Sequence, residues 1–283
     1  MTINELLILA AAGLFAGILA GFLGIGGGTV LVPLLVALNY APVQAVATSS
    51  LSIVITAISG SFQNWRMGYL SLTQVAGIGV PAVITAQVGV YLAGIFPPPL
   101  LLVTFGLLLW LNIYLVEVRK RLTAKNLVEE VRKNPQLPIT NYPLPITNDQ
   151  LPKDSNVLVN PIFARIATGS AAGLLAGLFG VGGGVIMVPL QILLLGESIK
   201  TAIQTSLGVI VITAISATAG HAARGNVLWV VGLILGGGGL LGVQVSTRFL
   251  PRLSDRVVSL AFRSLLAILS IYVFWQAWQK FHN

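Results

Sequence analysis

The chain has 283 residues, of which 55% are hydrophobic and only 8% are charged. A soluble domain carries about 25% charged residues, because water must solvate its surface. The low charge content, with a mean hydropathy of +0.90, therefore excludes a soluble globular protein and indicates a protein largely covered by lipid. The chain contains no cysteine, which excludes disulfides and thiolate metal sites.

The formal net charge of +8 also raises the alternative of a nucleic-acid partner. Most Lys and Arg residues lie between apolar segments, however, where basic residues set the orientation of a membrane protein. We therefore predict that lipid is the partner and nucleic acid is not. The start, MTINELLILA, has no Lys or Arg before its apolar run. It lacks the basic region of a signal peptide, so we predict that it stays in the protein as a membrane segment.

Ten apolar segments follow one another along the chain and predict an all-α membrane protein. Two of them, 28–38 and 184–195, have only eleven or twelve residues. As α-helix they reach about 17 Å, which is half of a bilayer core. Each half of the chain thus holds five crossings, or three full helices plus a short helix pair interrupted by glycine. The segments are 6–23, 28–38, 44–62, 71–94 and 99–117, then 163–179, 184–195, 201–219, 227–247 and 257–278.

The sequence repeats itself, which predicts two homologous halves at 1–117 and 161–283. GILAGFLGIGGGTVLVPL at 17–34 returns 156 residues later as GLLAGLFGVGGGVIMVPL. ATSSLSIVITAIS at 47–59 returns 157 residues later as QTSLGVIVITAIS. Because either count of crossings is odd, the second half is predicted to be inverted relative to the first.

Residues 118–160, between the halves, are polar and basic and hold five prolines between Pro135 and Pro152. Proline at this density blocks helices and sheet pairing, so we predict a disordered linker. Its basic residues place it in the cytoplasm of a multi-pass protein of the cell inner membrane. In the inverted arrangement further basic residues fall on the same side, namely Arg66, Lys200, Arg248, Arg252 and Arg256.

Two glycine runs stand at equivalent positions, GIGGG at 24–28 and GVGGG at 180–184, and each opens a short segment. The first N–H groups of a helix lack intrahelical acceptors, and together with the helix dipole they attract an anion. We predict that the two helix ends face each other near the midplane and bind a small oxyanion. The alternative is tight helix packing, which small residues permit. The predicted glycine ligands are Gly26, Gly27, Gly28, Gly182, Gly183 and Gly184.

Other polar residues also align between the halves. The aligned hydroxyls donate to the anion or bond carbonyls of their own helix. The aligned glutamines contact the substrate or hold helices together. Residues at the segment ends attract anions at the two mouths or are ordinary interfacial residues. The substrate-binding candidates are Thr48, Ser49, Thr205, Ser206, Gln87 and Gln244. The candidates for the mouths are Asn64, Arg66, His221 and Arg224. Pro33 and Pro189 are predicted hinges that kink or end the short helices.

The absence of several residue patterns from the sequence excludes further classes of function. None of the eight acidic residues lies in the middle of an apolar segment, so neither proton coupling through a carboxylate nor a cation site is predicted. A phosphate-binding loop, a zinc-ligand cluster and a nucleophile elbow are missing too. We therefore predict a secondary transporter without cofactor or metal, rather than a membrane enzyme. A receptor subunit would need large soluble domains, and the predicted linker is the only such stretch between the apolar segments.

The doubled motif resembles that of the TauE/SafE sulfite-exporter family, GGGxxxVPxL. GGGTVLVPLL at 26–35 matches it throughout, and GGGVIMVPL at 182–190 matches it up to the last position, where Gln191 stands instead of leucine. NWRMG at 64–68 is similar to the turn that follows the next helix in the family. The resemblance implies a cell-membrane exporter of small sulfur-containing anions, such as sulfite or organosulfonates, with alternating access between the two repeats. Import of the same anions, transport of another small solute or ion, and a homodimer stay open.

Overall fold

The computed structural model describes residues 3–114 and 160–282. The predicted linker at 118–160 lies outside these residues, except for Asn160. The described residues form ten α-helices and one turn of 3-10 helix at Leu250–Arg252. The helices are α1 Ile3–Leu23, α2 Gly28–Ala37, α3 Pro42–Arg66, α4 Leu72–Ile95, α5 Pro98–Tyr114, α6 Pro161–Phe179, α7 Gly184–Leu194, α8 Ile199–Ala222, α9 Trp229–Phe249 and α10 Asp255–His282.

The ten apolar segments of the sequence each correspond to one of these helices, which confirms the all-α prediction. Seven helices are long and apolar enough to cross a membrane: α1, α3, α4, α6, α8, α9 and α10. The glycine-interrupted pairs differ from the expectation in one respect. Only α2 and α7, with 10 and 11 residues, are short, whereas α1 and α6 have 21 and 19 residues. At 1.5 Å per residue, α1 and α6 are about as long as a bilayer core is thick.

Local sequence signals fix where several helices begin and end. The Asn160 side chain accepts a hydrogen bond from the backbone N–H of Ile162 at 3.0 Å, which caps the start of α6. Ser198 caps α8 in the same way, by accepting from Thr201 N–H at 3.1 Å. At its other end α6 stops at Gly180, whose φ of 63° is left-handed and favours glycine.

Helices α1 and α9 pack backbone against backbone. A Cβ atom on Gly13 would meet the carbonyl oxygen of Leu235, and one on Gly17 would meet the carbonyl oxygen of Gly239. Gly21 continues the series against Ser246. Glycines spaced by four residues thus form one bare stripe along α1, and a helix can approach closely there. Because the residue numbers rise together on both helices, α1 and α9 run in the same direction.

Helices α4 and α6 repeat this arrangement. Gly169, Gly173 and Gly177 form the stripe on α6, and a Cβ atom on the first two would meet the carbonyl oxygens of Ile78 and Ala82. These glycines lie 156 residues after those of α1. Equivalent helices of the two repeats therefore make equivalent contacts, but each helix takes its partner from the other half of the sequence.

Two three-helix bundles result from this exchange. The first bundle consists of α1, α3 and α9, and the second bundle of α4, α6 and α8. In the first, Gly236 of α9 packs on Ile55 of α3; in the second, Gly79 of α4 packs on Ile212 of α8. The bundles meet along α3 and α8, the most buried of the long helices, with 78% of the apolar stretch of each inside the protein.

Basic residues collect at one end of the described helices, which we name the linker end because α6 begins there. Lys200 at the start of α8 pairs with Asp255 at the start of α10, with Nζ and Oδ1 3.4 Å apart. The end of α1 lies beside α8, since Gly24 contacts Ile203. Arginines that the sequence placed on one side lie at this end, namely Arg66, Arg248, Arg252 and Arg256. Arg224 follows α8 at the opposite end.

Two neighbouring glycines of α9 test the close packing. We expect Gly238→Leu to destabilise the protein by about 1–3 kcal/mol or more, because the new side chain would run into the carbonyl oxygen of Ala10. Gly237→Leu is the matched control, since nothing lies within 4 Å of a Cβ atom there. Thermal unfolding of both variants in detergent measures the difference. Equal unfolding midpoints would contradict the packing described here.

Candidate functional site

The two glycine runs lie side by side at the centre of the molecule. A Cβ atom on Gly28 would meet the carbonyl oxygen of Gly180, and one on Gly184 would meet that of Gly24. Between these two contacts, a Cβ atom on Gly26 would lie 3.1 Å from the carbonyl oxygen of Val181. The two runs therefore pass each other in opposite directions.

Backbone conformation explains why both runs need glycine. In the first run Gly26 and Gly27 have φ of 76° and 78°, and in the second Gly182 and Gly183 have φ of 73° and 80°. This left-handed region is disfavoured for residues that carry a Cβ atom. The chain thereby turns from a long helix into a short helix, α2 or α7, and the side chains of Ile53 and Ile210 pack against both turns.

Two symmetric hydrogen bonds tie the runs to the opposite bundles. The Ser49 hydroxyl of α3 donates to the carbonyl oxygen of Gly180 at 2.8 Å. The Ser206 hydroxyl of α8 donates to the carbonyl oxygen of Gly24 at 2.9 Å. Two of the predicted site residues thus lie at the glycine runs, where they hold backbone carbonyls.

In this structure the glycines serve tight packing, because the two runs touch and leave no gap for a solute. The donors that the anion interpretation requires lie at the same place. Within the described residues, no backbone acceptor is bonded to the N–H groups of Gly28 and Thr29, or to those of Gly184 and Val185. The Thr29 hydroxyl is fully buried there and has no partner. Whether an anion binds these groups stays a prediction.

The other predicted substrate contacts hold helices together in this structure. Thr48 accepts from the backbone N–H of Leu228 at 3.1 Å. The Gln87 amide donates to the Ser216 hydroxyl at 2.8 Å, which links α4 to α8. Gln244 donates to Ser59 at 3.0 Å, which links α9 to α3. The two glutamines are 157 residues apart and make equivalent contacts.

The four residues predicted at the mouths divide into two kinds. Asn64 and His221 are fully buried rather than solvated at an interface. His221 Nε2 lies 3.0 Å from the carbonyl oxygen of Gly177, within the second bundle. Arg66 and Arg224 are exposed, and their guanidinium groups lie 5.9 and 5.8 Å from the ring centres of Phe62 and Tyr91.

The two hinge prolines do not end the short helices, which corrects that part of the expectation. Pro33 lies inside α2, which continues to Ala37, and Pro189 lies inside α7, which continues to Leu194. Each proline is the sixth residue of its helix, so the carbonyl oxygen four residues before it, of Thr29 or Val185, receives no intrahelical hydrogen bond from that position. The Pro33 carbonyl oxygen accepts from the Gln276 amide of α10 at 2.9 Å.

A polar cluster at the linker end escaped the sequence prediction. Gln74 of α4 donates through Nε2 to Glu197 Oε1 at 2.9 Å, and the Thr205 hydroxyl donates to Gln74 Oε1 at 3.3 Å. Burial raises the pKa of Glu197 to about 7, and the nearby Arg165 partly opposes this rise. Glu197 lies in the loop before α8 and not in the middle of an apolar segment, so the sequence did not indicate it as a functional residue.

Comparison with known proteins decides the family. Residues 9–273 match the family model described as sulfite exporter TauE/SafE. The chain belongs to this family. It is therefore a multi-pass protein of a transporter family, as the doubled glycine motif indicated. Within the described residues, no three His, Cys, Asp or Glu side chains come together as a metal site would require.

Relatives of this chain carry the same general name. A Bacillus subtilis protein, "Probable membrane transporter protein YunE", is 24% identical over 279 residues, which cover 95% of this chain and 97% of the relative. A "Probable membrane transporter protein" of Xylella fastidiosa strain 9a5c is 25% identical and covers 98% of both chains. A Haemophilus influenzae protein of the same name is 37% identical over 116 residues, 38% of this chain and 44% of the relative. No solved structure matches the chain.

The raised pKa of Glu197 predicts a pH-dependent stability. Between its ordinary value of 4.5 and about 7, the folded protein binds more protons at Glu197 than the unfolded chain does. Stability therefore falls as the pH rises through this interval, and this contribution levels off above it. We expect Glu197→Gln to flatten the fall in the unfolding midpoint between about pH 5 and about pH 7. Asp255→Asn, at the same end, is the control that keeps it. An unchanged slope in Glu197→Gln would contradict the burial of this carboxyl group.

Proposed function

We propose that this family member exports small sulfur-containing anions, such as sulfite or organosulfonates, across the cell membrane by alternating access. The observation that carries the proposal is the meeting of the two glycine runs at the centre, where each opens a short helix. The family model's description as a sulfite exporter supports the substrate class and the direction. Neither a cofactor nor a metal takes part.

The amides at the starts of α2 and α7 supply the binding chemistry. The first N–H groups of each helix carry partial positive charge, which the helix dipole reinforces. Gly28 and Gly184 offer them without a side chain of their own, beside Ile53 and Ile210, and the Thr29 hydroxyl adds a further donor. An oxyanion bound there needs no Lys or Arg. A cation would need carboxylates instead, and the described helices have no Asp or Glu near the two glycine runs.

Access to these amides requires the two runs to separate. The longest interlocks lie within each bundle, along the glycine stripes of α1 and α6, whereas the contact between the two runs across the seam is equally close but short. Across the seam between the bundles, the described hydrogen bonds at the runs are those of Ser49 and Ser206, each worth about 1 kcal/mol. The moving units are therefore the two bundles. The sequence instead led us to expect motion between the two repeats.

The orientation follows from helix directions and charge. Helices α1, α3 and α9 run toward the linker end, whereas α4, α6 and α8 run away from it, so equivalent helices of the two repeats point in opposite directions. This supports an inverted repeat. The basic residues at the linker end favour a cytoplasmic location for that end. The membrane potential then assists efflux of an anion by about 2.3 kcal/mol per charge per 100 mV.

Flux assays in proteoliposomes test the function. We expect counterflow of sulfite or an organosulfonate from a panel that also contains sulfate, thiosulfate and metal cations, and faster efflux when the inside is negative. Faster influx under every gradient would identify an importer instead. Carriage of cations alone would contradict the proposal.

A pair of glycine variants tests whether this transport depends on the first glycine run. We expect Gly27→Ala to reduce the flux at least tenfold, because the methyl group crowds the carbonyl oxygen of Ala16 at 3.0 Å and displaces the start of α2. Gly68→Ala is the control, since φ is 77° there as well but nothing lies within 4 Å. Both variants carry the same backbone strain, about 1 kcal/mol. Equal flux in both variants would remove the glycine run from the mechanism.

Engineered disulfides test which units move. The chain has no cysteine, so only introduced thiols react. Cβ atoms at positions 79 and 212 would lie 3.8 Å apart, and those at 239 and 56 would lie 3.5 Å apart, within the range of a disulfide. Each pair joins the two sequence repeats but stays within one bundle. We expect Gly79→Cys/Ile212→Cys and Gly239→Cys/Thr56→Cys to transport after oxidation. Loss of transport that a reductant restores would show that the repeats move instead.

A further inference from the structure

The polar cluster at the linker end links an ionisable group to the candidate site. Glu197 accepts from the Gln74 amide nitrogen, and the Gln74 amide oxygen accepts from the Thr205 hydroxyl. Thr205 is fully buried and adjoins Ser206, which bonds the first glycine run. A chain of two hydrogen bonds thus connects the loop before α8 with a residue predicted to contact the substrate.

This chain of hydrogen bonds has no counterpart in the other repeat. The positions equivalent to Gln74 and Glu197 hold Val231 and Tyr40, and the position equivalent to Arg165 holds Leu9. The glycine runs, their serines and the two glutamine links are all duplicated. The cluster therefore serves one end of the protein alone, the linker end.

Four helices bring described groups toward Glu197. Arg165 of α6 is a positive charge that lowers the pKa of Glu197. On α8, Lys200 is engaged by Asp255 at 3.4 Å and by the Pro251 carbonyl oxygen at 3.4 Å. Helix α4 contributes the neutral Gln74, and α7 reaches the loop through the Gln191 carbonyl oxygen, which accepts from Glu197 N–H at 3.4 Å.

We propose that Glu197 is a proton-operated switch of the anion site, and that Gln74 is the positioning residue that transmits its state to Thr205. This inference rests on the proposed function. An ionised carboxylate only accepts hydrogen bonds, so it holds the Gln74 nitrogen toward itself and the Gln74 oxygen toward Thr205. The Thr205 hydrogen is then committed to Gln74 and is not offered to an anion.

Protonation reverses the order of donors. The neutral carboxyl group donates its own hydrogen, so the Gln74 amide turns and presents its oxygen to Glu197 and its nitrogen to Thr205. Thr205 then accepts from that nitrogen, and its hydroxyl hydrogen is released to the anion. The negative charge of Glu197 disappears in the same step, while Arg165 keeps its positive charge. Because binding is reciprocal, proton binding and anion binding strengthen each other.

Transport of methanesulfonate tests the switch, because the single charge of this anion does not change between pH 6 and pH 8. With the pKa of Glu197 at about 7, counterflow by the native protein should fall about tenfold from pH 6 to pH 8. Glu197→Gln should be fast at both values, since its amide can donate to Gln74 as the protonated acid does. Asp255→Asn should keep the native profile.

Infrared spectroscopy of the protein in lipid nanodiscs follows the carboxyl group independently of transport. The band of the protonated carboxyl should titrate between pH 6 and pH 8 in the native protein and in Gln74→Leu, and should be missing in Glu197→Gln. In Gln74→Leu transport should no longer follow the band, because the relay is cut. Transport by this variant that still follows the band would overturn the role of Gln74.

The outcomes separate this inference from the proposed function. Anion flux whose pH profile is the same in Glu197→Gln as in the native protein overturns the switch and leaves the transporter intact. Absence of the titrating band also overturns the switch, whatever is transported. A titrating band in a protein that carries no anion at any pH overturns the proposed function, and the coupling to transport with it.

Discussion

Close contact between backbones, with no side chain between them, is the constraint on which this structure depends. Three glycines spaced by four residues line one face of α1 and one face of α6, and the partner helix lies so near that a methyl group at all of them except Gly21 would meet a carbonyl oxygen. In lipid, where apolar burial gives no preference for helix association, such contact supplies the dispersion and weak C–H···O attraction that hold helices together. The same condition recurs at the two glycine runs, where it closes the centre of the molecule.

Hydropathy and repetition predicted most of the fold. Each apolar segment became one helix, because a chain in lipid must satisfy its backbone internally and helices do so within one segment. The shortness of α2 and α7 was readable from the length of their apolar runs. The pairing of α1 with α9 was not, because periodicity locates a helix without naming its partner. The stripe of Gly13, Gly17 and Gly21 was the available signal, and it became interpretable only beside the equally bare surface of α9.

The candidate site was predicted unevenly for physical reasons. Glycine runs indicate an unusual backbone, and their equivalent positions in the two repeats predicted that they meet. The hydrogen bonds of Ser49 and Ser206 to the carbonyl oxygens of Gly180 and Gly24 were not predicted, because the sequence suggested only an anion or the serine's own helix as partner. Glu197 did not, because the repeat has no acid at the matching position and the residue lies in a loop. Its importance arises from burial beside Gln74, which only the packing of α4 against α8 creates. Asn64 and His221 were predicted at the ends of membrane segments, where water reaches them. Helix packing instead buries both side chains completely.

The exchange of helices between the halves has a consequence for the synthesis of the protein. Helix α1 leaves the ribosome long before α9, which begins at Trp229 and on which its glycine stripe packs. More than two hundred residues must be translated before that surface is covered. During this time the bare stripe of α1 faces lipid or the insertion machinery, and the first bundle cannot form. The second bundle needs only α4, α6 and α8, so it is the one that can assemble while translation continues.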